Sequence, residues 1–384
     1  KVIFTDANTL KATTVTIENN DTTNFNGPVS IGTLNDVAAS SEAPGSITIN
    51  GGGTISTATL NTTGDLTVTS DAGLTITNLT HTTGETKVNG KLTLTEDSTV
   101  GKITIAETDG ELQGASGKTI TVLGHWTNNG TFTANAGIVT FDGTLTIAGR
   151  SEFNTANMAG TISITSANQY ATLNIYNSSS TNNSDPANPV TVITPSQITF
   201  PAGPTNVQTV TTKLSLKGNS EEKLLQLKSS SSTPITDTTE ADCFYINFKG
   251  TITDTDESKN PDIQFVKMTN GYNASGEPDV HNYITTYNSV DSGNNYFWNF
   301  NGCEYTWTGT KNTDWFTAKN WNRNSVPGKN SIILITEKVN EVSVTQWPDL
   351  DNSTYPNGVS KEDMGLGEIT IGQKAELHIN TKDL

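Results

Sequence analysis

The segment GDLTVTSDAGLTIT, residues 64–77, decides the fold class, because aliphatic residues alternate with threonine twice within it. In an extended strand successive side chains point to opposite faces, so Leu66 and Val68 face one way and Thr67 the other. Leu74 and Ile76 repeat the arrangement after a glycine. The pattern predicts two short β-strands, each with a buried aliphatic face and a solvated threonine face.

The same alternation recurs along the chain from about residue 45 and predicts a solenoid. Its inward pairs recur at intervals of 19, 26, 28 and 25 residues, at Ile47/Ile49, Leu66/Val68, Leu92/Leu94, Ile120/Val122 and Leu145/Ile147. This spacing suits a parallel β-helix, whose coils bury a core only by stacking on one another. The fold prediction is therefore all-β, with a tandem array of β-sandwiches as the alternative.

Composition favours an exported β-rich protein and argues against two classes of partner. Only 16% of the 384 residues are charged, below the usual share of about 25%. The net charge of −17 repels phosphate backbones and anionic lipid, so we expect no nucleic-acid binding. The chain begins at Lys1 without a signal peptide and has no apolar run of about 20 residues. We therefore expect a mature or excised segment that belongs to a longer surface protein and does not insert into a membrane.

Two polar stretches interrupt the strand rhythm and are predicted to be loops that project from the solenoid. The first covers residues 177–206 and contains NSSSTNNSDPANP, although VTVI and QITF still alternate within it. The second lies at 229–240 and begins SSSSTP. Long insertions of this kind often carry function in proteins with a rigid scaffold.

Three further stretches resemble segments of large bacterial surface and secreted β-helix proteins of the adhesin or autotransporter-passenger type. They are GHWTNNGTFTANAGIVTFDGT at 124–144, the series LLQLKSSSSTP, IQFVKMTNGYNASG and TYNSVDSGNNYFWNF between 224 and 300, and WTGTKNTDWFTAKNWNRNSVPGKNSIILI at 307–335. The resemblance implies a right-handed parallel β-helix displayed outside the cell. It places that helix at 1–302 and the start of a further β-rich module at 303–384, and it transfers no catalytic residue.

Four of the six tryptophans lie between residues 288 and 321, where they form either a binding platform or a structural junction. An exposed solenoid end must be covered, because unpaired strand edges recruit other chains. We expect Trp298 and Phe300 to cap the main solenoid. Trp307, Trp315 and Trp321 are assigned to the next module, where Asp314-Trp315 and Asn320-Trp321 are expected to fix turns.

The two cysteines, Cys243 and Cys303, match no metal or redox spacing. They form either a disulfide or two separate buried thiols.

Candidate catalytic and metal-binding residues are sparse, so we expect no enzyme activity and no cofactor. The two arginines, Arg150 and Arg323, do not lie near an acidic cluster in sequence. The best acidic groups lie in loop-like contexts, at Asp254, Asp256, Glu257, Asp262, Asp349 and Asp351. The four histidines have no pair at ligand spacing and lie at His81, His125, His281 and His378.

Two alternative functions compete with an adhesin-like or display role toward a host matrix protein or glycan. A carbohydrate-active β-helix, either an enzyme or a binding module, would stack sugar rings on Tyr272, Tyr283, Tyr287 and Tyr296. Ice binding would use the T-x-T units at Thr67, Thr75, Thr93, Thr119 and Thr144, but unequal coils are expected to scatter these threonines over different faces.

Overall fold

A computed structural model of the chain describes residues 2–4, 8–17, 22–36, 45–60, 64–182, 190–233, 239–250, 262–277, 280–281, 284–300, 304–322, 326–327, 331–339, 342–350 and 368–378. The fold is all-β, with a large parallel sheet that is consistent with a β-solenoid. The only helices within the described ranges are two 3₁₀ turns, Glu240–Asp242 and Ala318–Asn320. The chain divides into two compact units, residues 1–173 and 174–384.

The strands of the first unit are short and follow one another closely. They are β1 (Val2–Phe4), β2 (Leu10–Ile17), β3 (Thr23–Phe25), β4 (Val29–Asp36), β5 (Ile47–Ile49), β6 (Gly53–Leu60), β7 (Leu66–Val68), β8 (Gly73–Val88), β9 (Lys91–Leu94), β10 (Ser98–Ile105), β11 (Glu111–Gln113), β12 (Thr119–Val122), β13 (Trp126–Asn128), β14 (Thr131–Thr133), β15 (Ile138–Ala148) and β16 (Glu152–Ile164), with β17 (Gln169–Tyr176) at the boundary.

These strands form three parallel stacks, named here after the strands β7, β9 and β12. The β7 stack runs through register partners such as Ile47, Leu66 and Thr86, which recur every 17 to 24 residues. The β9 stack aligns Leu74, Leu92, Leu112 and Phe132, and the β12 stack aligns Val100, Val122, Phe141 and Met158. Successive parts of the chain therefore pass through the stacks in turn, and a long strand such as β8 contributes to all three.

Trp126 shows that the three stacks enclose one interior. This side chain belongs to the β7 stack, is fully buried, and contacts Phe132 of the β9 stack and Phe141 of the β12 stack at ring-centroid distances of 4.9 and 5.9 Å. Its indole N–H donates to the Ser151 hydroxyl at 3.1 Å. The W-x-N-N-G-T-F motif is therefore a core-packing motif in this chain.

The predicted repeat length needs correction. Ile47 and Leu66 are register partners, as expected, but Leu92, Ile120 and Leu145 belong to three different stacks. The predicted intervals of 26, 28 and 25 residues therefore join strands of different stacks, so they are not the length of one repeat. Three near-identical strand patterns in each repeat produce this ambiguity, since alternation alone does not say which side of a coil a strand occupies.

A column of glycines forms the corner between the β12 and β7 stacks. A Cβ atom at Gly84 would overlap the carbonyl oxygen of Gly64, and one at Gly101 would overlap that of Thr82. The backbones of neighbouring coils therefore approach so closely here that a side chain cannot be accommodated.

The described residues of the second unit also contain parallel pairs, together with three antiparallel hairpins. Its strands are β18 (Ser178–Asn182), β19 (Val190–Thr194), β20 (Gln197–Phe200), β21 (Gln208–Lys217), β22 (Leu225–Ser229), β23 (Phe244–Phe248), β24 (Ile263–Gln264), β25 (Val266–Thr269), β26 (Gly271–Asn273), β27 (Gly276–Glu277), β28 (Val280–His281), β29 (Ile284–Thr286), β30 (Val290–Asp291), β31 (Trp298–Phe300), β32 (Glu304–Thr306), β33 (Ile332–Ile335), β34 (Lys338–Val339), β35 (Val342–Ser343) and β36 (Glu368–Ile371).

Within this unit the parallel ladder β20–β22–β25–β30 and the ladder β21–β23–β26 continue the stacking pattern. A separate parallel sheet, β32–β33–β36, follows residue 303. The antiparallel hairpins are β18–β19, β27–β28 and β34–β35. The unit boundary lies at 173/174, and the predicted module boundary at 302/303 stays a prediction.

Asp36 interrupts the aliphatic interior of the first unit. It lies in register between Ile17 and Leu60 of the β12 stack and is 1% exposed. Neither carboxylate oxygen has a hydrogen-bond partner within the described part of the chain. Burial raises the pKa of this carboxyl to about 6.

Replacing Asp36 by asparagine is expected to stabilise the chain near neutral pH and to have little effect near pH 4. Because the folded-state pKa lies above the unfolded value, the stability contributed by the protonated Asp36 carboxyl is fully present below about pH 4 and is lost as the pH rises through about 6. The gap between the two chains near neutral pH is at most about 3 kcal/mol. Denaturant unfolding of both chains measures it, and a gap independent of pH would contradict the assignment.

Candidate functional site

Trp298 and Phe300 lie inside the fold rather than on its surface. Both are fully buried, and β31 places them in register with Ile284 and Thr286 of β29. This position fits a side chain that covers a core, but their role as a cap of the solenoid stays a prediction.

Trp307, Trp315 and Trp321 form one buried aromatic cluster. Trp321 contacts Trp307 and Trp315 edge-on at ring-centroid distances of 5.0 and 4.7 Å, and Tyr305 lies 6.3 Å away. All four side chains are at most 1% exposed, and Ile333 and Ile335 pack into the same core. The indole faces are therefore unavailable as a binding platform.

Asn320 organises the loop that covers this cluster. Its buried side-chain oxygen accepts hydrogen bonds from the backbone N–H groups of Lys311 and Asn312 at 2.9 and 3.1 Å. Its amide donates to the Asn312 side chain at 2.6 Å and to the Asp314 carbonyl at 2.8 Å. Asp314 accepts from the Phe316 N–H and the Thr317 hydroxyl, as expected for a residue that fixes a turn.

Cys243 is a buried free thiol in the structure, and burial raises its pKa strongly. Its sulfur lies 3.4 Å from the Asn294 carbonyl oxygen. Cys303 lies outside the described residues, so the two alternatives, a disulfide or two separate buried thiols, both stay predictions.

Within the described ranges the structure brings one candidate acid, Asp349, beside a candidate histidine, His378, as partners in a parallel bridge. Asp349 also forms a parallel bridge with Asp314, while Asp262 is buried and lies 3.4 and 3.8 Å from the ammonium groups of Lys213 and Lys217. Asp254, Asp256, Glu257, Asp351 and Arg323 lie outside the described residues, and the Arg150 side chain is exposed. No group of three His, Cys, Asp or Glu side chains in the described part could hold a metal ion.

The histidines are separated from one another. His81 is fully buried and its ring nitrogens lie 3.0 Å from the Thr86 hydroxyl and 3.0 Å from the Gly64 carbonyl oxygen. Burial lowers its pKa, which favours the neutral ring. His125 accepts from the Thr146 N–H, His378 lies beside Glu376, and His281 is part of β28.

The T-x-T threonines are distributed over all three stacks. Thr75 and Thr93 are partners in the β9 stack, Thr67 and Thr144 belong to the β7 stack, and Thr119 belongs to the β12 stack. An outward ladder that the sequence analysis missed runs through the β12 stack, at Thr59, Thr80, Thr99, Thr121 and Thr140. Cross-strand stacking accounts for this ladder without a ligand.

Three tyrosines form a ladder in which neighbouring rings cover one another, at Tyr245, Tyr272 and Tyr296. Tyr272 stacks on Tyr245 at 4.5 Å and contacts Tyr296 at 5.7 Å and Phe297 at 5.2 Å. Because Tyr245 and Tyr296 are its bridge partners on neighbouring strands, both faces of the Tyr272 ring are occupied. Tyr287 lies beside Gln264 in another ladder, and Tyr283 lies outside the described residues. The arrangement gives no specific support for sugar stacking.

Hydrogen bonds to the Asp242 carboxylate connect the two described ends of the insertion at 229–240. One carboxylate oxygen accepts from the hydroxyls of Ser231 and Thr233 at 2.7 Å each, and the other accepts from the Thr239 N–H at 2.8 Å. These bonds hold the pKa of Asp242 well below its usual range. The carboxylate thus joins the two described ends of the insertion, with residues 234–238 between them.

Replacing Asp242 by alanine is expected to loosen this insertion without unfolding the chain, because the removed hydrogen bonds are local. Limited proteolysis should then cut within residues 229–242 faster than in the wild-type chain, while Asp242→Asn should show a smaller increase. Equal cleavage of all three chains would contradict the role of the carboxylate.

The insertion at 177–206 contains an antiparallel hairpin whose strands do not pair with the parallel ladders in the described part of the chain. Strands β18 and β19 pair only with each other within the described part of the chain. Thr191 and Val192 are adjacent and both exposed, as are Ser179 and Ser180. Since adjacent side chains of a strand point to opposite faces, both faces of the hairpin meet solvent.

A polar clip anchors the base of this hairpin. Asn177 and Ser196 are buried, and the Asn177 side chain accepts from the Ser196 N–H at 3.0 Å and donates to the Lys223 carbonyl at 2.7 Å. The Ser196 hydroxyl accepts from the Ser178 N–H at 3.1 Å. The hairpin therefore leaves the scaffold from a fixed base.

Comparison of the chain with protein families, with curated proteins and with solved structures found no match. In the described part of the chain, neither helix has the length and hydrophobicity of a membrane span. The fold and the exposed hairpin thus define the chain only as an all-β protein with an architecture consistent with a β-solenoid that carries insertions.

Proposed function

We propose that the chain is a non-enzymatic surface or secreted β-solenoid of adhesin-like or structural display type. In this proposal it is a right-handed parallel β-helix with a partial second module from residue 303, and it belongs to a longer bacterial surface protein. The insertions at 177–206 and 229–240 are its contact surfaces for a host matrix protein or glycan.

The exposed hairpin β18–β19 carries the proposal. Both of its faces meet solvent while its base is held by Asn177 and Ser196, which is the arrangement of a contact element on a rigid support. The second insertion is also held at its ends, by Asp242. Because the base of each insertion is already ordered, less conformational entropy of the chain is lost when a partner binds the projecting part.

The test removes the two insertions and measures attachment. Residues 179–193 would be replaced by a two-residue Asn-Gly turn, with Asn177 and Ser196 kept, and the second insertion would be shortened between Ser231 and Asp242. Alanine replacement of the exposed turn at Glu107, Thr108 and Asp109 provides the control.

Binding to immobilised matrix proteins and to a glycan array, with a metal chelator present, should fall at least about tenfold in the double-insertion variant and persist in the control. Unchanged attachment after removal of both insertions would show that the insertions are not the contact surfaces.

A further inference from the structure

We propose that the chain self-associates through its exposed hairpin, with strand β19 of one copy pairing antiparallel with β19 of a second copy. The result is a four-stranded antiparallel sheet formed by two hairpins. The inference does not depend on the adhesive role, because it concerns a second copy of the chain rather than a host ligand.

The second edge of β19 has no neighbouring strand among the residues that the structure describes. In the described part of the chain β19 pairs with β18 alone, so its other edge presents backbone N–H and C=O groups without a neighbouring strand. Charged side chains, proline or a bulge usually protect the edge strand of a β-sheet from pairing with another chain. The paired strands SSSTN and VTVIT contain no charge and no proline, and the register of all five pairs is regular.

Sequence favours β19 over β18 as the pairing edge. All five residues of β19 are β-branched, which favours strand pairing, whereas β18 is rich in serine and ends in asparagine. Val192 is 42% exposed and is among the more exposed large apolar side chains described in the chain. A second strand beside it would bury apolar surface and satisfy backbone groups at once.

The charge distribution favours a second copy of the chain as the partner that binds the β19 edge. Antiparallel pairing of two identical strands is self-complementary about a two-fold axis. The net charge of −17 opposes association elsewhere on the surface, but the uncharged strands add no like-charge pair at the contact. Salt should therefore strengthen the dimer, because it screens the long-range repulsion and leaves the backbone hydrogen bonds largely unaffected.

The contact is small, so a dissociation constant on the order of 100 μM is expected. Sedimentation velocity over a concentration series should show a monomer–dimer equilibrium that shifts toward dimer as salt is raised. Val192→Lys should weaken it at least about tenfold, because two lysines would face each other across the axis. Thr127→Lys, an outward substitution between Thr104 and Ala148 on the β7 stack, is the matched control and should not change it.

Hydrogen exchange locates the contact independently of the variant. Amides of residues 190–194 should become more protected as concentration rises, while those of β12 stay unchanged. Two outcomes would overturn the proposal: a wild-type chain that stays monomeric with no change in protection, or a dimer that forms equally well in Val192→Lys. Dimer formation by the wild-type chain without any matrix protein or glycan present, whether or not that chain attaches to them, separates this proposal from the adhesive role.

Discussion

Replacing Val122 by aspartate is expected to unfold the coils around it, at a cost above about 4 kcal/mol. Val122 is fully buried in the β12 stack, in register between Val100 and Phe141. A carboxylate there would lose its hydration, and the apolar side chains of Val100 and Phe141 on either side supply no hydrogen bond. The expected result is loss of the cooperative unfolding transition or a large drop in its midpoint, measured by circular dichroism.

The neighbouring residue supplies the control. Thr121 points outward between Thr99 and Thr140, so Thr121→Asp places the same charge in solvent and should cost less than about 1 kcal/mol. If the two variants were equally stable, the assignment of inward and outward faces in this stack would be wrong.

Replacing Asn320 by leucine is expected to disrupt the aromatic cluster of the second unit, at a cost of about 3 kcal/mol. Leucine has a similar volume but cannot accept from the Lys311 and Asn312 N–H groups or donate to the Asp314 carbonyl. The loop should then detach from the cluster formed by Trp307, Trp315 and Trp321. Near-ultraviolet circular dichroism and tryptophan fluorescence measure that loosening.

Asn322→Leu serves as the comparison for this prediction. Asn322 is exposed and its side chain accepts a single hydrogen bond, from the Thr306 N–H at 3.0 Å. Its replacement should cost less than about 1 kcal/mol. Similar loosening in both variants would mean that Asn320 has no special role in holding the loop.

The sequence predicted the strands well because burial and exposure alternate with the period of a strand. Leu66, Val68, Leu74 and Ile76 are all buried as the opening segment predicts. The repeat length was wrong because Leu92, Ile120 and Leu145 follow the same local pattern on different sides of the coil. The stack to which a strand belongs is decided by its register with distant strands. The sequence of a single strand does not reveal that register.

The residues that organise the candidate sites were harder to predict. Asp242, Asn177 and Asn320 act through hydrogen bonds to backbone groups, so their roles depend on a local chain conformation that residue type does not reveal. The insertion at 177–206 was predicted from its break in pattern, but its paired hairpin was not, and Gln197–Phe200 within it belongs to the buried parallel ladder with β22. The two strands are separated by a polar stretch longer than the common hairpin turns.

Spin-label distances along the outward ladder of the β12 stack test the central claim, that consecutive coils stack in parallel register. The ladder passes from Thr16 through Asn35, Thr59, Thr80, Thr99 and Thr121 to Thr140. With both native cysteines replaced by alanine, labels at Thr59 and Thr140 should lie about 19 Å apart and labels at Thr16 and Thr140 about 29 Å apart, since strands are about 4.8 Å apart. Stacking predicts this linear increase with the number of intervening coils. Distances that do not increase with coil number, as in antiparallel facing sheets, would contradict it.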